Sequence, residues 1–220
     1  MREARVRLRL PRTAQERESV AQWLGVSSRA AALSSDVRES VTVQLVESLA
    51  ASGRLFVFAD REDRAFGVGT WSVKGNPRNL EFAVVVGDPA QWRSGLGGEA
   101  ALRLVDFLFM TYDANKVFLL TGAFNPYTLP ALARSGFVLE ARLREHYFLD
   151  GEFSDALVWS LLRAEHRRLL AETAGGALAY VPTVSDAEKE SARLFLERYL
   201  ADPLAARADL GADAGVAARG

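Results

Sequence analysis

Apolar and basic side chains alternate over residues 6–10, the pattern of a half-buried strand. Residues 15–24 carry helical apolar spacing, with Thr13 placed to cap it. A second helical stretch is expected over 37–49, closed by Gly53. Residues 54–59 and 65–73 read as strands joined by a charged turn over 60–64. Gly75-Asn76-Pro77 marks another turn. Residues 79–86 then form a strand whose run Phe82-Ala83-Val84-Val85-Val86 is apolar without a break. Such a run predicts a strand covered on both faces. Gly87-Asp88-Pro89 ends it.

Ala101, Leu104, Val105, Leu108 and Phe109 recur at helical spacing, which predicts a helix over 100–110. Residues 116–121 are a further apolar strand. Asn125-Pro126 reads as an N-cap and first helical residue, and Pro130 is expected to kink or shorten that helix. Residues 137–149 and 153–161 flank Asp150-Gly151, a strong hairpin dipeptide. Residues 173–177 read as a glycine-containing linker, and Ser185-Asp186-Ala187-Glu188 as a capping box. The helix it opens carries Ala192, Phe195, Leu196 and Tyr199, a stripe for its own domain or for a subunit contact. After Pro203 there is little to bury, and disorder is expected.

The chemistry concentrates in Gln91-Trp92-Arg93-Ser94-Gly95-Leu96-Gly97-Gly98-Glu99-Ala100, between the apolar strand and the helix. The first N–H groups of a helix lack partners within it, and its dipole favours negative charge there. Glycines let that backbone approach a phosphate closely. The turn is therefore expected to hold a pyrophosphate. It lacks the third glycine of a dinucleotide fingerprint and the lysine of a P-loop, so neither of those motifs applies.

Composition narrows the picture further. With 27 Lys and Arg against 28 Asp and Glu the net charge is −1, so no overall positive field draws the chain to nucleic acid or anionic lipid. No segment is long and apolar enough to span a bilayer, and the start lacks a signal-peptide core. The chain has no cysteine, which excludes disulfides, thiolate metal sites and a cysteine nucleophile. That fits a reducing cytosol, and a cytoplasmic protein is expected. His146 and His166 are the only histidines, and no metal-ligand spacing occurs, so no metal is expected. Residues 150–155 are acidic but lack calcium-loop spacing.

Three stretches, in this order and spacing, carry a resemblance. They are Gly87 to Ala100 with its Gly-x-Gly turn; Phe124-Asn125 through Arg134 to Gly136-Phe137; and Glu140 to Glu145 followed by Asp150-Gly151, Asp155 and Leu161-Leu162-Arg163. Over roughly residues 4–168 the chain resembles the GCN5-related N-acetyltransferases, in particular the branch similar to the ribosomal-protein N-terminal acetyltransferases. The resemblance implies an α/β (α+β) fold, with a mixed, mostly antiparallel central sheet flanked by helices and an extra C-terminal helix. It implies an acetyltransferase domain over 1–170, a linker and helix over 171–202, and a tail over 203–220.

It also implies acetyl-CoA as co-substrate and an amine as acceptor, with a homodimer possible in this family. The cofactor would lie against Val84, Val85, Val86, Trp92, Arg93, Ser94, Gly95, Leu96, Gly97 and Gly98, with Asn125 touching it or an ordered water and Arg134 near its phosphates. A backbone N–H of the strand over 84–86 would polarise the thioester carbonyl. Glu81 is the first choice for the base that deprotonates the amine, with a surface carboxylate as the alternative reading. Asp155, His146 and Glu145 are weaker candidates, and Trp23, Trp71 and Tyr147 are candidates for an acceptor cleft or for core. The position where many family members place a tyrosine, taken as the acid for the leaving thiolate, holds Leu132. That departure motivates an alternative, a CoA-binding scaffold with impaired catalysis.

Overall fold

The computed structural model describes residues 5–25, 41–92, 94–172 and 184–202. Two units are distinguished, Met1–Ala179 and Tyr180–Gly220. In the first, the chain runs β1 (Arg7–Arg9), α1 (Ala14–Leu24), α2 (Val43–Ala51), β2 (Leu55–Ala59), β3 (Ala65–Val73) and β4 (Asn79–Val86). It continues through α3 (Leu96–Thr111), β5 (Lys116–Gly122), α4 (Thr128–Arg134), β6 (Val138–Leu149), β7 (Glu152–Leu162) and α5 (Arg163–Glu172). The seven strands form one sheet in the order β1-β2-β3-β4-β5-β7-β6. Every neighbouring pair is antiparallel except β4 and β5. This is the mixed, mostly antiparallel sheet that the resemblance implies.

Local chemistry explains the boundaries. Thr13 accepts from the Glu16 amide at 3.1 Å and starts α1, as its sequence predicts. Thr42 does the same for α2 through the Leu45 amide at 3.2 Å, so that helix starts after Thr42 rather than near residue 37. Residues 37–40 of the expected helix lie outside the described residues. Asp150 (φ 54°) and Gly151 (φ 87°) are both left-handed, the conformation of a two-residue turn between β6 and β7. Pro130 falls in the first turn of α4, where its missing N–H leaves no helical bond unmade, so the helix runs through it.

β4 is covered on both faces, as its apolar run predicts. Leu80 and Phe82 join a core with Leu104, Val105, Leu108 and Phe109 of α3, Val117 and Leu119 of β5, and Leu132 of α4. Val85 joins a second core with Val20 and Leu24 of α1, Val46 of α2, and Leu55, Val57 and Val68. α5 was not anticipated. Its His166 is buried, bonds Asp106 of α3 at 2.6 Å and stacks on Phe109.

In the second unit, α6 (Asp186–Ala201) opens with the predicted capping box: the Glu188 amide donates to Ser185 Oγ at 3.2 Å and the Ser185 amide to Glu188 Oε2 at 2.6 Å. None of its residues is buried. The expected linker at 173–177 and the tail after 203 lie outside the described residues.

Candidate active site

The site begins where two parallel strands separate. β4 and β5 pair only through Asn79–Lys116, Leu80–Val117 and Glu81–Phe118. β4 then continues to Val86 and β5 to Gly122, with no further pairing between them. On its other side β4 stays in unbroken register with β3, from Val73–Leu80 to Gly67–Val86. The Gly87 amide donates to Phe66 O at 2.9 Å, which fixes which residues of β4 bond to β3. By alternation, Val85 and Ala83 spend their backbone groups on β3, while the N–H and C=O of Val84 and the N–H of Val86 face the split. A strand edge of this kind is a template for an extended ligand carrying amides.

The glycine turn closes the same end of the sheet. Gly95 (φ 79°) caps α3 in the left-handed region without a side-chain cap. The helix starts there, ahead of the apolar stripe that marks it in the sequence. The Glu99 amide makes the first intrahelical bond, to Gly95 O at 3.3 Å. The Leu96 amide is taken by Ser94 Oγ at 3.1 Å, and the amides of Gly97 and Gly98 fall in the first turn, which has no helical acceptors. A Cβ on Gly97 would stand 2.9 Å from Val86 Cγ2, so the helix abuts the end of β4 because that residue is glycine. A Cβ on Gly98 would meet nothing within 4 Å. Unpaired first-turn amides beside a glycine without neighbours are the kind of surface that binds an anion.

Trp92 braces this corner: its indole N–H donates to Val86 O at 2.8 Å. Its ring faces Tyr127 at 6.3 Å. Asn125 is buried, and its Oδ1 accepts from the Tyr127 and Thr128 amides, each at 3.0 Å. It heads a turn just ahead of α4, whose N-cap is Tyr127 rather than Asn125, so the helix starts at Thr128 and not at Pro126. Arg134 is exposed in the last turn of α4. Arg93 lies outside the described residues. Leu132 is buried in the core beside Phe137.

Among the candidate bases, Glu81 occupies the last paired position before the split and is held by Lys74 at 3.3 Å. Strand alternation puts it on the sheet face of α1 and α2, opposite the face that carries α3. Asp155 is committed elsewhere. It accepts from the Glu145 amide at 2.8 Å and from Arg142, and these contacts hold its carboxyl below the usual range. It stabilises a register shift in β6 at which Glu145 is left-handed (φ 51°). Trp71 and Tyr147 are buried, and Trp71 donates to Gly53 O at 2.8 Å, so both belong to the core. Trp23 packs on Gly87, where a Cβ would fall 2.1 Å from its ring.

Two residues escaped sequence reasoning. Arg5 is tied to Glu99 of α3 through its amide and its Nε, both at 2.9 Å, and its Nη2 stands 3.8 Å from where a Gly95 Cβ would be. Glu140 accepts from Ser160 Oγ at 2.7 Å and Lys116 at 3.0 Å, bonds that lower its pKa. Ser160 pairs with Phe118, which pairs with Glu81, so Glu140 gathers on the face of Glu81. Arg5 reaches the turn through its bonds to Glu99, and Glu140 reaches the face of Glu81 through Ser160 of β7 and Phe118 of β5; no sequence spacing signals either.

Comparison with known proteins identifies the family and the fold. The family model for the acetyltransferase (GNAT) domain matches residues 5–138. A spermidine N(1)-acetyltransferase of Vibrio cholerae is 25% identical over 114 residues, 51% of this chain and 65% of the relative. The chain thus spans less than two thirds of that relative's length. The crystal structure of a Vibrio cholerae spermidine N-acetyltransferase in complex with CoA and spermine superposes with a TM-score of 0.63 at 18% identity, covering 75% of this chain and 99% of that one. An acetyltransferase (GNAT family) from Bacillus anthracis gives a TM-score of 0.58 at 15% identity, over 72% and 95% of the two chains. The relatives whose acceptor is named are polyamine acetyltransferases, not enzymes of the N-terminal branch that the motifs resemble. The family model covers more than half of the sequence, and the chain belongs to the acetyltransferase (GNAT) domain family.

Proposed function

We propose that this protein transfers an acetyl group from acetyl-CoA to a primary amine. The observation that carries the proposal is the β4–β5 split opening beside the glycine turn, with free amides on both. In this reading the amides of Gly97 and Gly98 hold the diphosphate, with Arg5 adding positive charge beside Gly95. The pantetheine arm lies along the Val84 and Val86 edge of β4. Bound there, acetyl-CoA supplies an activated acyl carbon, and a β4 amide facing the split polarises its carbonyl.

The acceptor approaches from the opposite face, where Glu81 stands. An ammonium has no lone pair, so a proton must leave before attack, and Glu81 takes it directly or through water. The new C–N bond forms as the C–S bond breaks, and the thiolate leaves with the CoA. No hydroxyl stands at position 132, so the leaving thiolate is protonated without a side chain there. Glu81 and Glu140 on this face are each paired with a lysine, Lys74 and Lys116, so their charges are compensated and do not by themselves select the acceptor. A small polyamine heads the candidate acceptors because the Vibrio cholerae relative is named a spermidine acetyltransferase.

The test is release of free thiol from acetyl-CoA with a panel of amines, including spermidine, spermine and peptides with free N-termini, and mass spectrometry of the acceptor. Turnover with a polyamine supports the reading, and turnover with peptides alone moves it to the N-terminal branch. CoA binding without turnover on any acceptor favours a CoA-binding scaffold, the reading that Leu132 motivates. Restoring tyrosine at 132 is a poor discriminator, because the site is packed core and overpacking costs about 1–3 kcal/mol.

A further inference from the structure

Thr121 is the penultimate residue of β5 and is 2% exposed. Its hydroxyl has no hydrogen-bond partner among the described residues. Buried hydroxyls without partners are uncommon and costly, and valine would fill the same space without that cost. The hydroxyl therefore needs an explanation beyond the described residues.

Position supplies one. Val117 and Leu119 of β5 face the core that includes Leu104 and Leu108 of α3, and strand alternation puts Thr121 next in that row. Val86 packs against the same core, and Gly97 of α3 abuts it. Thr121, Val86 and the glycine turn thus share one face and one end of the sheet. Thr121 lies three residues past Phe118, the last residue of β5 that pairs with β4, so it borders the split.

Resting on the acetyl-CoA reading, we infer that the Thr121 hydroxyl is a binding group for the pantetheine arm, completing its hydrogen bonding only when the arm enters the split. The arm carries amides that donate and accept, and a hydroxyl does both, so the two match in either sense. The residue is a ligand contact on the β5 side, opposite the amides of β4.

The experiment compares wild type, Thr121→Val and Thr121→Ser by thermal melting and by calorimetric titration with CoA and with adenosine 3′,5′-bisphosphate, which lacks the arm. Thr121→Val is expected to melt at or above the wild-type temperature without ligand, because it removes an unpaired buried group. It should bind CoA about tenfold more weakly, while its affinity for the bisphosphate stays within about twofold. Thr121→Ser should bind CoA within about threefold of wild type. Wild-type binding of CoA with unchanged binding by Thr121→Val overturns this inference alone. A lowered melting temperature of unliganded Thr121→Val also overturns it, since the hydroxyl would then have a partner in the free protein. Failure of the wild type to bind CoA overturns the acetyl-CoA reading and this inference together.

Discussion

At the scale of single residues, Gly98 separates folding from binding. A Cβ there meets nothing within 4 Å. Alanine in a first helical turn is better tolerated than glycine by about 0.5–1 kcal/mol. Gly98→Ala is therefore expected to raise the melting temperature slightly while weakening CoA binding, because the methyl group takes the phosphate's space. Melting and calorimetry on one sample check both halves. Glu81→Gln should lower kcat by about 10²–10⁴-fold, with CoA affinity unchanged. An unaltered kcat would remove Glu81 from the chemistry. The sequence made the glycines and Glu81 legible because turn and strand signals are local. Arg5 and Glu140 were illegible, since each reaches its place through partners distant along the chain.

Among the elements, the tie between β1 and α1 governs behaviour in acid. Glu16 of α1 takes both Nη groups of Arg9, at 2.7 and 2.9 Å, and Arg9 also bonds Asp63 in the β2–β3 turn at 2.9 Å. The Arg9 guanidinium holds the Glu16 carboxyl down at about 2, against an ordinary value of 4.5. A folded pKa below the unfolded one contributes stability above 4.5, and that contribution is lost as pH falls from 4.5 toward 2. Glu16→Gln should flatten the melting-temperature curve over that window and lower it at neutral pH. An unchanged slope would show that the pair does not couple to folding. Most strands and helices could be read from periodicity, and the β6–β7 hairpin from Asp150-Gly151. The start of α3 could not, because Gly95 to Gly98 carry no apolar stripe. α5 could not either, since its anchor is one buried histidine against another helix.

For the whole molecule, the part of the sheet order beyond the short turns follows from nothing local. It brings β5 beside β4, and β7 between β5 and β6, so the split forms only when the full sheet does. The family resemblance anticipated a mixed, mostly antiparallel sheet, but neither it nor periodicity specified the strand order. The C-terminal unit has a different standing: no residue of α6 is buried.

Hydrogen–deuterium exchange with and without CoA tests the central claim most directly, because that claim concerns particular amides. CoA should slow exchange at Val84 and Val86 on the edge of β4 and at Gly97 and Gly98 in the first turn of α3, leaving the amides of α1 and α2 unchanged. Saturation with CoA that leaves the strand edge and the glycine turn exchanging at their free rates would contradict the account.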